Sequence, residues 1–311
     1  ICLVGSEMCI RDRLHSDVPM VENVGHYIVD AGGKRLRPLL VLLSGALLGG
    51  CSDAHVKFAA TVEFIHTATL LHDDVVDISN LRRGRPTANA EFGNAPSVLV
   101  GDFLYTRAFQ LMVQLDNMAI LHHMANTTNT IAEGEVLQLV GAGDPATDET
   151  QYLDVISRKT AILFAAGCFG AAVLSAANEP TREHMRAFGL NLGIAFQMID
   201  DVLDYDGDPA TTGKNVGDDL TEGKVTLPLI KAMQDAPAAD QELIRSAIMA
   251  KNASELDSIV SAVEQCGALA YTRDQAHRYH DLAAQHLQQL PEGADRVDLS
   301  QLLAMYIQRD Q

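Results

Sequence analysis

Two aspartate-rich clusters of the same form, DDVVD at residues 73–77 and DDVLD at residues 200–204, lie 127 residues apart in the chain. On a helix the first and last aspartates of each cluster are one turn apart. Asp73 and Asp77 then project from one face, as do Asp200 and Asp204, and each pair can share divalent cations. Without a cation the carboxylates repel. Hard oxygen donors suit magnesium, which takes few carboxylates and leaves places for waters and substrate phosphates. The clusters therefore point to a diphosphate ligand. One such cluster alone could be a solvated acidic face. Two, each flanked by an apolar stretch (TATLLH before the first, GIAFQMI before the second), sit at the edge of a core, where an uncompensated carboxylate is costly.

Basic residues stand out in a chain this acidic. GGKRLRP, residues 32–38, places Lys34, Arg35 and Arg37 just before a helix start, where free N–H groups and the positive helix end reinforce anion binding. LRRGRP, residues 81–86, puts Arg82 and Arg83 shortly after the first aspartate cluster, with planar donors suited to phosphate oxygens. Lys159 with Thr160, Lys214 and Lys224 are more isolated, and each taken alone reads as surface.

These residues must be positioned by helices. Of 311 residues, 47 % are apolar and only 5 % aromatic, with no Trp, and no run alternates as a strand does; the fold class is all-α. Turn signals at 49–53, 79–97, 141–149, 178–181 and 291–295 divide the chain into helical blocks. Pro38 fits the first turn of a helix, and Asn252 with Glu255 predicts a capped helix start. The irregular segment 206–226 is a candidate active-site lid. A net charge of −18 and a pI of 4.8 exclude nucleic acid as partner. Five cysteines without a CxxC pair, and no signal-peptide pattern, fit a reducing, cytoplasmic setting. The longest uncharged run, residues 161–177, falls short of the ~20 residues that span a bilayer and reads as a buried helix. No internal repeat or linker appears, so residues 14–311 are expected to form one domain. Residues 1–13 match nothing downstream; they read as a non-native remnant in place of a native helix and are set aside from the fold.

In order and approximate spacing, GGKRLRP, LLHDDVVD, LRRGRPTAN, GDFL, EGEVLQL, KTA, FQMIDDVLD and GKNVGDDLTEGKVTLP resemble the motifs of trans-isoprenyl diphosphate synthases. Within that family the chain is most similar to the long-chain bacterial branch that makes octaprenyl diphosphate. The resemblance runs from about residue 16 to the end. It implies an all-α bundle of about a dozen helices around a deep central cavity, usually a homodimer, with no membrane-spanning segment and at most transient membrane contact for product release. It implies Asp73, Asp77 and Asp200 as the main magnesium ligands, with Asp74, Asp201 and Asp204 as support or water-mediated ligands. Arg82, Lys159, Lys214 and Lys224 would hold the allylic diphosphate, with Thr160 and Gln197 beside its reacting carbon. Lys34, Arg37, His66 and Arg83 would hold isopentenyl diphosphate. His66 lies seven residues, two helical turns, before Asp73.

The implied chemistry is head-to-tail prenyl transfer onto an allylic diphosphate, farnesyl diphosphate in this branch, with a product destined for a quinone side chain. About three magnesium ions and the basic side chains neutralise the leaving diphosphate, and the allylic C–O bond ionises. The isopentenyl double bond attacks the cation, and a proton is then lost. Water must be excluded. A terpene cyclase needs no second diphosphate pocket, which GGKRLRP and Arg83 supply here. A non-catalytic regulatory subunit should have lost ligands, and none is missing. In short-chain family members, bulky aromatics four and five residues before the first cluster block the tail; here these are Thr69 and Ala68, both small. A forty-carbon tail needs a path of roughly 30 Å, about a 20-residue helix. Met112, on one helical face with Gly101, Tyr105 and Ala108, is the candidate floor.

Overall fold

Helix formers dominate between the turn signals, and the structure, a computed structural model, is correspondingly helical. It describes residues 2–207 and 216–307, with side chains from residue 4 onward. In chain order the elements are α1 (Cys2–Asp12), α2 (Pro19–Asp30), α3 (Leu36–Leu47), α4 (Asp53–Val76), β1 (Leu81–Arg82), β2 (Arg85–Pro86), α5 (Ala88–Phe92), α6 (Asn94–Gln114), α7 (Met118–Gly141) and α8 (Glu149–Ile156). A π-helical turn, Ser157–Ala161, leads into α9 (Ile162–Leu174). Then come α10 (Glu179–Asp206), α11 (Asp218–Glu222), α12 (Leu227–Asp235), α13 (Ala238–Ala250), α14 (Leu256–Gln265), α15 (Ala268–Gln288) and α16 (Ala294–Ile307).

The chain packs as two compact units. The first comprises Ile1–Thr128, Leu163–Gly189 and His286–Ser300. Its centre is α4, which packs against α1, α3 and α6. Phe58, Phe64, Ile65, Ala68 and Leu71 of α4, with Leu104, Ala108, Leu111 and Met112 of α6, are fully buried. Glycines allow close approaches here: a Cβ on Gly170 would stand 2.2 Å from the Phe58 ring. The second unit comprises Asn129–Ile162, Leu190–Gln285 and Gln301–Gln311. Its core joins Tyr152 and Ile156 of α8, Met198, Ile199 and Val202 of α10, Leu227 and Ile230 of α12, Ile244 and Ile248 of α13, and Ile259 and Val263 of α14.

The structure departs from the sequence reading in three places. Residues 1–13, set aside from the fold, contain α1, whose Ile10 is buried and which packs on α3 and α4. The stretch after the first aspartate cluster holds a two-stranded antiparallel hairpin with Arg82 opposite Arg85. Asn252 does not cap a helix: its Oδ1 accepts from the Ser254 N–H at 2.8 Å in a local turn, and α14 starts at Leu256. Of the candidate lid, residues 216–226 carry the short helix α11, while residues 208–215 lie outside the described part. The run Glu149–Leu174 is long and apolar enough to cross a membrane, yet 61 % of its most apolar window is buried within the protein.

At Gly189 of α10 an added Cβ would stand 2.6 Å from the Phe164 carbonyl oxygen of α9, a backbone atom that cannot swing aside. Gly189→Ala should therefore destabilise the protein by about 1–3 kcal/mol through overpacking, despite alanine's better helix propensity. Thermal unfolding checks this; an unchanged or raised midpoint would contradict the packing.

Candidate active site

The first aspartate cluster terminates α4. Asp77 is the C-cap, and its N–H donates to the Asp73 carbonyl at 2.8 Å. Asp73, Asp74 and Asp77 thus gather at the negative end of a helix dipole, where acidic side chains are disfavoured and cations favoured. Arg82 supplies one cation. Its Nε and NH2 donate to both Asp74 carboxylate oxygens at 2.6–3.1 Å, and the Asp74 side chain is buried. Burial opposes the Arg82 charge, but Asp74, with Asp73 and Asp77 nearby, outweighs this and raises its pKa. Asp74 is therefore the anchor of Arg82, while Asp73 and Asp77 are half-buried.

The hairpin aims the arginines. Arg83 and Gly84, with φ of 54° and 71°, form its tight turn, and such consecutive left-handed residues match the twist of the flanking strands. The Tyr27 hydroxyl donates to the Pro86 carbonyl at 2.8 Å and the Thr87 hydroxyl to the Ser79 carbonyl at 2.7 Å, tying both sides of the hairpin. Arg83 lies against the GGKRLRP turn: a Cβ on Gly33, whose φ is 146°, would stand 2.7 Å from its NH1. Two residues into α3, the Arg37 guanidinium NH1 donates to His66 Nε2 at 3.1 Å and stacks over Phe164 at 4.4 Å. His66 therefore accepts through Nε2. Burial first, then Arg37, Arg83, Arg82 and Arg35, hold its pKa well below the usual histidine value, so it is neutral at pH 7. Burial and Arg82 likewise pull Arg83 below its ordinary value. Arg37, His66 and Arg83 thus converge as the motifs implied, with exposed Lys34 next in sequence to Gly33. Positive charge concentrated there favours a multivalent anion.

In the second unit the DDVLD cluster occupies the last two turns of α10, again at a helix C-terminus. Asp201 is buried. Tyr152 donates its hydroxyl to Oδ2 at 2.5 Å, Gln197 Nε2 donates to Oδ1 at 2.8 Å, and Thr160 Oγ1 donates to Gln197 Oε1 at 3.0 Å. Burial, then Asp219, push the Asp201 carboxyl up to about 8 against the pull of these two donors. Asp200 and Asp204 are more open, and the Gly217 N–H donates to the Asp204 carbonyl at 2.9 Å. Lys159 and Thr160 sit on the π-helical turn, an irregularity that recurs at functional sites. Gly134 of α7 lets that turn approach, since a Cβ there would meet the Lys159 nitrogen at 2.8 Å. Lys159 pairs with Glu135, and Lys224 with Glu222, each at 2.5 Å. Lys214 lies outside the described residues.

Sequence reading missed Tyr152, Glu135, Glu222 and the hairpin. Glu222, two residues before Lys224, was in view within a motif; Tyr152 is 49 residues from Asp201 and carries no local signal. Among the described residues no three carboxylate, imidazole or thiol groups are pre-assembled as a metal cage. Magnesium requires none, because water and substrate phosphate complete its shell. The hard oxygens of two acidic helix ends fit that ion.

Of the chain-length candidates, Ala68 and Met112 are fully enclosed. Thr69 is half-buried, with its hydroxyl donating to the His66 carbonyl at 2.8 Å, and it stands one turn before Asp73 on the same face of α4.

An all-α chain with two acidic helix ends, each accompanied by basic side chains, belongs to the class of helical enzymes that act on prenyl diphosphates. The sequence pattern of polyprenyl synthetases matches residues 18–266. The octaprenyl diphosphate synthase of Escherichia coli is 47 % identical over 309 residues, covering 99 % of this chain and 96 % of that protein. The all-trans-nonaprenyl-diphosphate synthase (geranyl-diphosphate specific) of Rhodobacter capsulatus is also 47 % identical, over 303 residues, covering 97 % of this chain and 93 % of its own. A crystal structure of a Caulobacter crescentus polyprenyl synthase, complexed with calcium and isoprenyl diphosphate, superposes with a TM-score of 0.96 at 44 % identity, covering 100 % of this chain and 95 % of that one. The chain belongs to the polyprenyl synthetase family and is a prenyltransferase.

Asp73→Asn or Asp200→Asn removes one like charge from an acidic helix end. Without metal, either variant should be more stable by about 0.5 kcal/mol, through relief of helix-dipole and neighbour repulsion. Added magnesium and inorganic pyrophosphate should raise the melting temperature of the parent protein far more than that of either variant. Equal stabilisation of all three would overturn the metal assignment.

Proposed function

We propose that this enzyme extends an allylic diphosphate, farnesyl diphosphate being the best fit, by successive head-to-tail addition of isopentenyl diphosphate, and that the main product is octaprenyl diphosphate for a quinone side chain. The observation that carries this reading is the presence of two separate cation sets. Arg37 and Arg83, beside neutral His66, form one at the GGKRLRP turn; the other is Arg82 in the first unit with Lys159 and Lys224 in the second, each resting on a carboxylate of its own unit. One-substrate allylic chemistry needs a single set. A long product is supported by the octaprenyl and nonaprenyl relatives, each 47 % identical to this chain.

Asp73, Asp77, Asp200 and Asp204 would hold magnesium, about three ions with the diphosphate, with Asp74 and Asp201 as buried supports. When bound, magnesium supplies positive charge to the departing diphosphate. Arg82, held by Asp74, and Lys214 take the remaining phosphate charge with Lys159 and Lys224, whose partners Glu135 and Glu222 yield to the ligand. Thr160 and Gln197 lie beside the reacting carbon, where their linked side-chain dipoles favour developing positive charge. Neutral His66 contributes to orienting isopentenyl diphosphate without adding a charge. Once the isopentenyl double bond has attacked the allylic cation, the isopentenyl unit loses its proton to the released diphosphate, so no protein base is required.

The chain works as a homodimer in this reading, supported by large apolar side chains left exposed on α6 and α7, among them Leu99, Val113, Met118 and Val140. A second copy covering them would remove apolar surface from water. The cytoplasm is the inferred location, with residues 14–311 acting as the synthase domain.

The deciding experiment incubates purified protein with farnesyl and isopentenyl diphosphates and magnesium, then separates the chains made. A forty-carbon main product is expected; a cyclised or unextended product would refute the proposal. Lys34→Ala and Arg37→Ala should mainly raise KM for isopentenyl diphosphate, and Lys224→Ala mainly that for the allylic substrate. Equal effects on both substrates would dissolve the two-set assignment. Ala68, Thr69 and Met112 form the proposed chain-length path, and Thr69 is its informative member. A tyrosine at enclosed Ala68 would overpack the core, whereas Thr69→Phe adds a ring at a half-open position and should shorten the product to about fifteen or twenty carbons by steric closure. An active Thr69→Phe enzyme with unchanged product would rule the path out.

A further inference from the structure

The GGKRLRP turn contains three cations, and one of them does not face a ligand. Arg35 turns inward, its side chain 15 % exposed. It donates through NH1 to Glu63 Oε1 at 2.8 Å, through Nε to Glu7 Oε2 at 3.1 Å and through NH2 to the Val29 carbonyl at 2.9 Å. These contacts engage all three guanidinium nitrogens. Its backbone is left-handed, with φ 46° and ψ 36°, which a residue with a Cβ adopts rarely and keeps when its surroundings hold it there.

The holding group is Glu63, 4 % exposed and carried by α4. A carboxylate that buried is stable only with a charged, hydrogen-bonded partner. Glu63 also lies three residues before His66, on the same face of the helix. One turn of α4 therefore grips the 32–38 segment twice: Glu63 takes Arg35, and His66 takes Arg37. Between them the left-handed residue sets the direction in which Lys34 leaves the turn and the angle at which α3 begins, while Gly33 accepts the Arg83 guanidinium.

We propose that Glu63 is a positioning residue for the isopentenyl diphosphate site: through the buried Arg35 ion pair it fixes the left-handed turn that sets Lys34, Arg37 and Arg83 for the diphosphate. This rests on the function proposed above. Arg35 is accordingly a structural cation of the motif, and Lys34 and Arg37 are its ligand-facing members.

The test compares the parent enzyme with Glu63→Gln, Glu63→Asp and the double variant Glu63→Gln/Arg35→Gln. Steady-state KM is measured for each substrate, and calorimetry measures binding of isopentenyl diphosphate itself. Glu63→Gln should raise KM and Kd for isopentenyl diphosphate by at least about tenfold, since small misplacements of binding groups carry costs of this size. Its KM for the allylic substrate should stay within about twofold. Glu63→Asp, which keeps the charge, should recover part of the loss. If Glu63→Gln does not fold, the double variant, which leaves no unpaired buried charge, should fold and show the same selective defect. A lowered melting temperature with unchanged Kd for isopentenyl diphosphate, or equal KM changes for both substrates, would overturn the positioning role alone. Failure of the parent protein to bind isopentenyl diphosphate would instead bring down the functional reading, and this inference with it.

Discussion

The constraint on which the rest depends is the placement of acidic clusters at the wrong ends of helices. α4 and α10 both finish in aspartates, where unsatisfied carbonyls already give a partial negative charge. A sequence selected for stability alone would put lysine or arginine there. The cations that relieve the arrangement are therefore integral to it. One, Arg82, is built into the fold through Asp74. The rest of the compensation is of the kind that magnesium provides.

The basic residues obey a complementary rule. Arg82, Lys159 and Lys224 each rest on a carboxylate of their own unit, and Arg35 rests on two. The lysine pairs keep long side chains ordered and can be exchanged for a more highly charged anion, because a diphosphate outcompetes a single carboxylate, whereas Arg35 and Arg82 stay on their buried carboxylates. The cluster at His66 differs. There Arg37 donates to a neutral imidazole and Arg83 lies against the Gly33 backbone, with Glu63 and Asp74 offsetting part of its charge. Four arginines around a neutral His66 make this turn suited to an anion.

Much of this was legible from the chain. The i, i+4 spacing of the aspartates, their apolar flanks and the basic motifs pointed to Asp73, Asp77, Asp200, Arg37 and Arg83 as candidates, the family resemblance added His66, and the scarcity of aromatics with the turn pattern set the helical class. Long-range partners were not legible. Nothing near Asp201 announces Tyr152, and nothing near Lys159 announces Glu135, because these pairs arise from helix packing and not from local spacing. The LRRGRP hairpin escaped notice because arginine, rather than asparagine, aspartate or glycine, occupies the first left-handed position of its turn. α1 was discounted on its odd sequence, and its apolar pattern gave no sign of the packing: Ser6 and Ile10, one turn apart, are buried while Val4 and Met8 stay exposed.

The central proposal is that the acidic helix ends take up magnesium and a diphosphate only together, neither being well accommodated alone. Calorimetric titration of the intact protein with inorganic pyrophosphate, in chelator and then in millimolar magnesium, tests this most directly. The account predicts strong binding with magnesium and a large loss of affinity without it. Equally tight binding in chelator, or none under either condition, would contradict it.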